Sequence, residues 1–153
     1  MILVSACLTG LCCKYNGGSN YNEKVYKLVE MRKAIPFCPE QLGGLPTPRP
    51  PSEIINGDGK DIFLGKAKVI NSSGEDVTQK FIKGAEESLK LAKTMRVKKA
   101  ILKSRSPSCG CGMIYDGTFS GRKKKGNGVT AELFMQNGIE VITEEEYQMK
   151  ERV

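Results

Sequence analysis

The 153-residue chain has no histidine. That absence excludes a Ser-His-Asp or Cys-His nucleophile, a His₂Cys₂ zinc site and a histidine general base. Proton transfer falls to Glu, Asp, Lys, Tyr, Cys or bound water, and any metal must be held mainly by thiolates. There is no apolar run long enough to span a bilayer, so no membrane partner is expected. The opening Met1-Ile-Leu-Val-Ser-Ala6 has no basic flank and is too short for the apolar core of a secretory signal. The expected location is the cytoplasm, where thiols stay reduced.

Six cysteines are present: Cys7, Cys12, Cys13, Cys38, Cys109 and Cys111. A chain of this length can bury a core without cross-links, and one domain over residues 1–153 is expected. The cysteines therefore read as metal-binding or catalytic rather than as a disulfide framework. Twenty-four basic residues against 17 acidic ones leave a formal charge of +7. Such a balance favours an anionic partner, a phosphate-bearing substrate or nucleic acid, although solubility alone is the plainer reading.

The chain is organised around Lys103-Ser-Arg-Ser-Pro-Ser-Cys-Gly-Cys-Gly112, which follows the short apolar run Lys99-Ala-Ile-Leu-Lys103. The run suits a buried strand. Pro107, Gly110 and Gly112 then force a bend, where two thiols and the hydroxyls of Ser104, Ser106 and Ser108 crowd together. Ile2-Leu-Val-Ser-Ala6 reads as a first, central strand running into a Gly-rich loop with Cys7 at its head. Residues 22–32 have helical spacing with Asn20 or Asn22 as cap. Ala34-Ile-Pro-Phe37 is a second strand, again ending in a cysteine, and residues 38–51 are too rich in Pro and Gly for anything but a stiff loop. The run 62–70 is expected to form a small strand or hairpin arm. Residues 78–94 form the longest helix, capped by Asp76 or Thr78 and serving as scaffold. Ser120-Gly-Arg-Lys-Lys-Lys-Gly-Asn-Gly128 reads as a flexible basic loop able to contact phosphate. A short helix over 130–136, a strand over 139–142 and a final helix opened by Thr143-Glu-Glu-Glu close the chain. Strands alternating with helices give an α/β fold: a single Rossmann-like domain with a mostly parallel sheet of about four or five strands flanked by helices.

Three of these strands each deliver a cysteine to the following loop. In a parallel sheet their carboxyl ends share one edge, so Cys7, Cys38 and Cys109 converge where ligands bind in open α/β sheets. Three thiolates can hold zinc, with water, Cys13 or Cys111 as a fourth ligand, or three corners of a 4Fe–4S cluster. Spacing does not choose between these. Cysteines in Gly/Pro loops just past strands fit poorly with a role as small buried hydrophobes.

Four ordered motifs now carry a resemblance: Val4-Ser-Ala-Cys-Leu-Thr-Gly10, the Cys-Lys-Tyr-Asn-Gly run at 13–17, Phe37-Cys-Pro-Glu40 with Gly43-Gly-Leu-Pro-Thr-Pro-Arg49, and Lys103-Ser-Arg-Ser-Pro-Ser-Cys-Gly110. Together with Ile114-Tyr-Asp-Gly-Thr-Phe119 and Gly126-Asn-Gly-Val-Thr-Ala131, the chain resembles the thiouracil desulfurases, a bacterial and archaeal family. The resemblance implies a 4Fe–4S cluster with three Cys ligands, Cys7, Cys38 and Cys109, and one open iron that takes the sulfur of a thiolated pyrimidine. It places the catalytic carboxylate on Glu40 and its partner serine on Ser106. Arg49, Ser104 and Ser108 are the expected substrate contacts. The implied reaction is non-redox removal of sulfur as hydrosulfide, with Glu40 activating water. The expected partner is a thiolated pyrimidine base or nucleotide, with no stable nucleic-acid complex. Lys123-Lys-Lys125 would suit a phosphate and tilts the expectation to 4-thiouridine monophosphate over free 2-thiouracil. The chain departs from the motifs at Cys12, beside Cys13, and at Asn16, where Asp is frequent. The competing reading is a non-catalytic Cys-rich zinc or iron–sulfur module contacting RNA. A carboxylate two residues from a ligand, as Glu40 is from Cys38, has no purpose in such a module.

Overall fold

The computed structural model describes residues 1–150. Its central sheet contains β1 (Ile2–Ser5), β2 (Ala34–Phe37), β5 (Lys99–Leu102) and β8 (Glu140–Thr143) in the order β2-β1-β5-β8, all parallel. Alternation along each strand sends side chains to two faces. Leu3, Ala100, Leu102 and Val141 pack with Ala92 of α4 (Thr78–Thr94) and with Ala131 and Phe134 of α5 (Val129–Gln136). Val4, Ile101 and Ile142 face Val25, Leu28 and Val29 of α1 (Glu23–Glu30), with Tyr147 of α6 (Glu144–Lys150) beside them. The result is a three-layer sandwich whose middle strand, β1, carries the chain to β2 on one side while β5 lies on the other.

Local signals explain most element ends. Asn22 accepts a hydrogen bond from the Val25 amide and starts α1. Asp76 accepts from both the amide and the hydroxyl of Thr78 at the head of α4, and these bonds hold its carboxyl below the usual range.

Three expectations are corrected. The 62–70 run is split: Gly59–Phe63 is a helix, α3, and only Lys68–Asn71, β4, is a strand, paired antiparallel with β3 (Ser52–Ile55). The cause is a reciprocal cap, in which Asp58 accepts from the Lys60 and Asp61 amides while the Asp61 carboxylate accepts from the Asp58 amide. The stiff loop after Cys38 opens with a one-turn helix, α2 (Pro39–Leu42), which has proline at its start, where a missing amide proton costs nothing. The flexible basic loop is instead β7 (Lys123–Lys125), paired antiparallel with β6 (Met113–Tyr115). Ile54, Ile62, Val69, Phe81, Ile114 and Val129 gather both hairpins and α3 into a second apolar cluster beside the sandwich.

Candidate active site

A cavity of about 490 Å³ opens at the carboxyl edge of β1, β2 and β5. It is lined by Cys7, Cys13, Cys38 and Cys109, and by Glu40, Arg49, Ser104, Ser106 and Ser108. The expected ligands Cys7, Cys38 and Cys109 and the expected catalytic and substrate-contact residues Glu40, Ser106, Arg49, Ser104 and Ser108 thus all lie on one cavity. Cys7 leaves β1 in a single 3-10 turn, Ala6–Thr9; Cys38 caps α2 directly after β2; Cys109 lies in the bend after β5. β2, β1 and β5 are neighbours in a parallel sheet and end side by side, which is why residues 7, 38 and 109 meet.

Each of these three sulfurs has a hydrogen-bond donor of its own. The Asn20 side chain reaches Cys7, the Gln41 amide reaches Cys38, and the Ser5 hydroxyl reaches Cys109. Cys13 lies within hydrogen-bond reach of both Cys7 and Cys38 and holds its own proton far above the ordinary thiol range. Its single S–H can be given to one neighbour at a time, and that donation lowers Cys7 or brings Cys38 down to about 7. Burial pushes Cys109 up. Of the two further ligands considered from sequence, then, Cys13 joins the cluster of thiols, whereas the Cys111 sulfur faces the Val141 carbonyl at 3.6 Å. Cys12 is exposed.

Glu40 is held on both oxygens. Oε1 accepts from Arg49 Nε at 3.0 Å, and Oε2 accepts from Ser108 Oγ at 2.8 Å. The hydroxyl touching the carboxylate is therefore that of Ser108, and Ser106 stands one bond behind it, its Oγ 3.0 Å from Ser108 Oγ. The direction of that bond follows by elimination. Ser108 has one hydroxyl proton, and a charged acceptor claims it, so Ser106 donates to Ser108. Ser106 Oγ meanwhile accepts from the Ser108 and Cys109 amides, both at 3.1 Å, and so holds the bend in shape.

Arg49 turns inward. Its donors go to Glu40, to the Cys13 carbonyl at 2.8 Å and to Thr47 Oγ1 at 2.9 Å, and its side chain is only 5% exposed. Ser104 lines the cavity with its hydroxyl committed to Glu144 Oε1 at 2.7 Å and its amide to Oε2 at 2.7 Å. Lys103 Nζ reaches the same carboxylate at 3.2 Å, so the start of α6 is clasped to the bend. Lys123, Lys124 and Lys125 lie outside the cavity lining, and Lys124 Nζ donates to the Ile54 carbonyl. The argument from that run for a nucleotide phosphate loses its support. Sequence reasoning quoted the 114–119 motif but gave no site role to Tyr115 and Phe119 of the β6–β7 hairpin, which line the cavity. The Asp116-Gly117 turn between them was the available signal.

The donor set suits an iron–sulfur cluster: soft thiol ligands, each carrying a hydrogen bond of the kind that tunes such centres. Among the described residues no three such side chains surround a single ion. Three ligands of one cubane bind three different irons, so their sulfurs stand apart.

Comparisons with known proteins agree over nearly the whole chain. YbbK of Bacillus subtilis (strain 168) is 53% identical over 146 residues, covering 95% of this chain and 97% of YbbK. The solved structure of a 4Fe–4S-dependent thiouracil desulfidase, TudS, superposes with a TM-score of 0.84 at 41% identity, covering 97% of this chain and 93% of that one. Residues 2–146 match the 2-thiouracil desulfurase family, and the chain belongs to that family.

Proposed function

We propose that this protein is a hydrolytic desulfurase that replaces the sulfur of a thiolated uracil with oxygen and releases hydrosulfide. One observation carries the reading: a carboxylate, Glu40, paired with Arg49 and hydrogen-bonded to Ser108, on the wall of a cavity that also holds four thiols. Cys7, Cys38 and Cys109 are the residues that would hold a 4Fe–4S cluster, as the thiouracil desulfidase TudS depends on one. When bound with one iron left open, such a cluster supplies a Lewis acid for the thiocarbonyl sulfur.

The chain's own groups do the rest. Each Glu40 oxygen accepts one protein bond and keeps a lone pair for water. Glu40 takes a proton from that water as it adds to the carbon bearing sulfur, and returns it as hydrosulfide leaves. Ser106 and Ser108 form a hydroxyl chain ending on Oε2, a path for that proton and a clamp on the carboxylate. Arg49 keeps the other oxygen fixed and holds the 13–15 backbone against the site through the Cys13 carbonyl and its own amide to the Tyr15 carbonyl at 2.7 Å. The cavity is large enough for a pyrimidine beside a cluster and has no free basic run at its wall, so a base is favoured over a nucleotide.

The test is Glu40→Gln in protein reconstituted without oxygen. Wild type is expected to bind about four irons and four sulfides per chain and to turn over 2-thiouracil. The variant keeps the iron and its visible absorbance and loses about 10²- to 10⁴-fold in kcat. Retained activity would remove Glu40 from the chemistry. Zinc in place of iron, with no cluster on reconstitution, would leave the Cys-rich module as the better account.

A further inference from the structure

The cavity that holds the sulfurs and Glu40 is also lined by four aromatic residues, Tyr15, Phe37, Tyr115 and Phe119. Three of these have their rings or hydroxyls engaged. Phe37 is buried and stacked on Phe134 at 5.9 Å. The Tyr15 ring carries the Lys14 ammonium 5.7 Å from its centroid. The Tyr115 hydroxyl is hydrogen-bonded with the Arg105 guanidinium.

Phe119 has no such partner among the described residues, belongs to none of the three apolar clusters, and is 40% exposed. Its backbone sits at φ +56°, in the left-handed region that bulky residues avoid. A strained, exposed phenylalanine persists only where its surroundings over-determine it, and here they do. The Glu53 carboxylate, itself buried, accepts from the Gly117 amide at 2.9 Å and the Phe119 amide at 3.2 Å. Asp116 accepts from the Thr118 amide at 2.9 Å, and the Thr118 hydroxyl meets Ser120 Oγ at 2.6 Å. Gly117, at φ +96°, lies so close to the Ile54 carbonyl that an added Cβ would stand 2.8 Å from it. The turn is thus seated on β3, with Phe119 on the lining of the cavity.

We infer that Phe119 stacks on the pyrimidine ring of the substrate and selects flat heterocycles over other thiocarbonyl compounds. The inference rests on the desulfurase reading and adds to it the residue that recognises the ring. Stacking on an aromatic side chain needs only the π-face that every pyrimidine has, so it orients the ring and leaves the sulfur and its carbon to Glu40.

Two variants test it in cluster-loaded protein under anaerobic conditions. Phe119→Gly suits the left-handed backbone and removes only the ring, so the fold and iron content should be preserved. Its KM for 2-thiouracil should rise about tenfold to a hundredfold, with kcat changed by far less. Phe119→Trp places a lone indole in a chain without tryptophan. Its emission should be quenched by uracil, a ligand that does not react, in a saturable way, and that of Tyr26→Trp, on α1, should not. Wild type that converts no thiolated uracil would overturn the desulfurase reading and this one with it. Turnover by wild type with a wild-type KM in Phe119→Gly, or an indole at 119 blind to saturating uracil, would overturn the stacking role alone.

Discussion

The thiol of Cys13 shows how one hydrogen bond sets the chemistry of its neighbours. By keeping its proton beside Cys38 it stabilises the Cys38 thiolate, which lowers that group to about 7. In reduced, cluster-free protein, Cys38 should therefore be alkylated by iodoacetamide with a rate that inflects near pH 7, falling below it as the thiolate is protonated. Buried Cys109, raised by desolvation, should lag at the same pH. In Cys13→Ala the donor is gone, and the Cys38 inflection should move up towards the ordinary thiol value of about 8.5. Site-resolved mass spectrometry reads each cysteine separately; an inflection left where it was would show that Cys13 does not control Cys38. At the same scale, Ser106 and Ser108 are two residues apart in sequence yet have unlike partners. Which hydroxyl meets Glu40 depends on the bend that Ser106 itself stabilises through the Ser108 and Cys109 amides.

Between elements, the contact that sets the height of Glu40 is the packing of α2 on α4. Gly84 stands in the middle of α4, where glycine is worse than alanine by about 1 kcal/mol. It is there because a Cβ would run into the Pro39 carbonyl, and a Cβ on Gly43 would run into the Lys80 carbonyl. α2 follows Cys38 directly and carries Glu40, so this backbone-to-backbone approach positions both a proposed ligand and the carboxylate. Gly84→Ala should cost about 1–3 kcal/mol by overpacking, a fall in Tm of roughly 2–10 °C. It should also lower the iron bound per chain as α2 is pushed outward. Wild-type melting and full iron loading would show that the two helices can separate without disturbing the site. The same elements show what sequence could resolve. α4 was legible from end to end because seventeen residues repeat one apolar stripe. α2 and α3, four and five residues long, carry no period to read, only a proline and a pair of aspartates at their starts.

Over the whole molecule, Arg49 ties the loop that follows β1 to the loop that follows β2. It is nearly buried against Glu40, also largely buried, and its other donors hold Cys13 and Thr47. Arg49→Ala should cost about 3–5 kcal/mol, because it leaves a buried carboxylate without its cation. Chemical denaturation measures that loss. Arg49→Lys should recover little, since an ammonium cannot serve the same fork of acceptors. Turnover of 2-thiouracil and of 4-thiouridine monophosphate should fall together. A loss confined to the nucleotide would instead make Arg49 a phosphate contact. No helix among the described residues is long and apolar enough to cross a membrane, and the basic excess lies largely outside the cavity wall.

The parallel sheet and the meeting of Cys7, Cys38 and Cys109 were legible from the order of residues alone. Apolar strands followed by cysteine-bearing turns leave few topologies, and parallel strands end on a common edge. The lack of histidine likewise confined acid–base chemistry to groups such as Glu40. Packing across the fold settles that Cys13 rather than Cys111 turns towards that edge, that Ser108 rather than Ser106 touches Glu40, and that Lys123–Lys125 pairs in a hairpin. The same is true of Phe119, which reaches the cavity lining through the turn held by Glu53. These outcomes depend on contacts between residues far apart in the chain, such as Glu53 with the Gly117 and Phe119 amides and Arg49 with Cys13. No local spacing encodes them, because the energy that selects them appears only when the distant partner is in place.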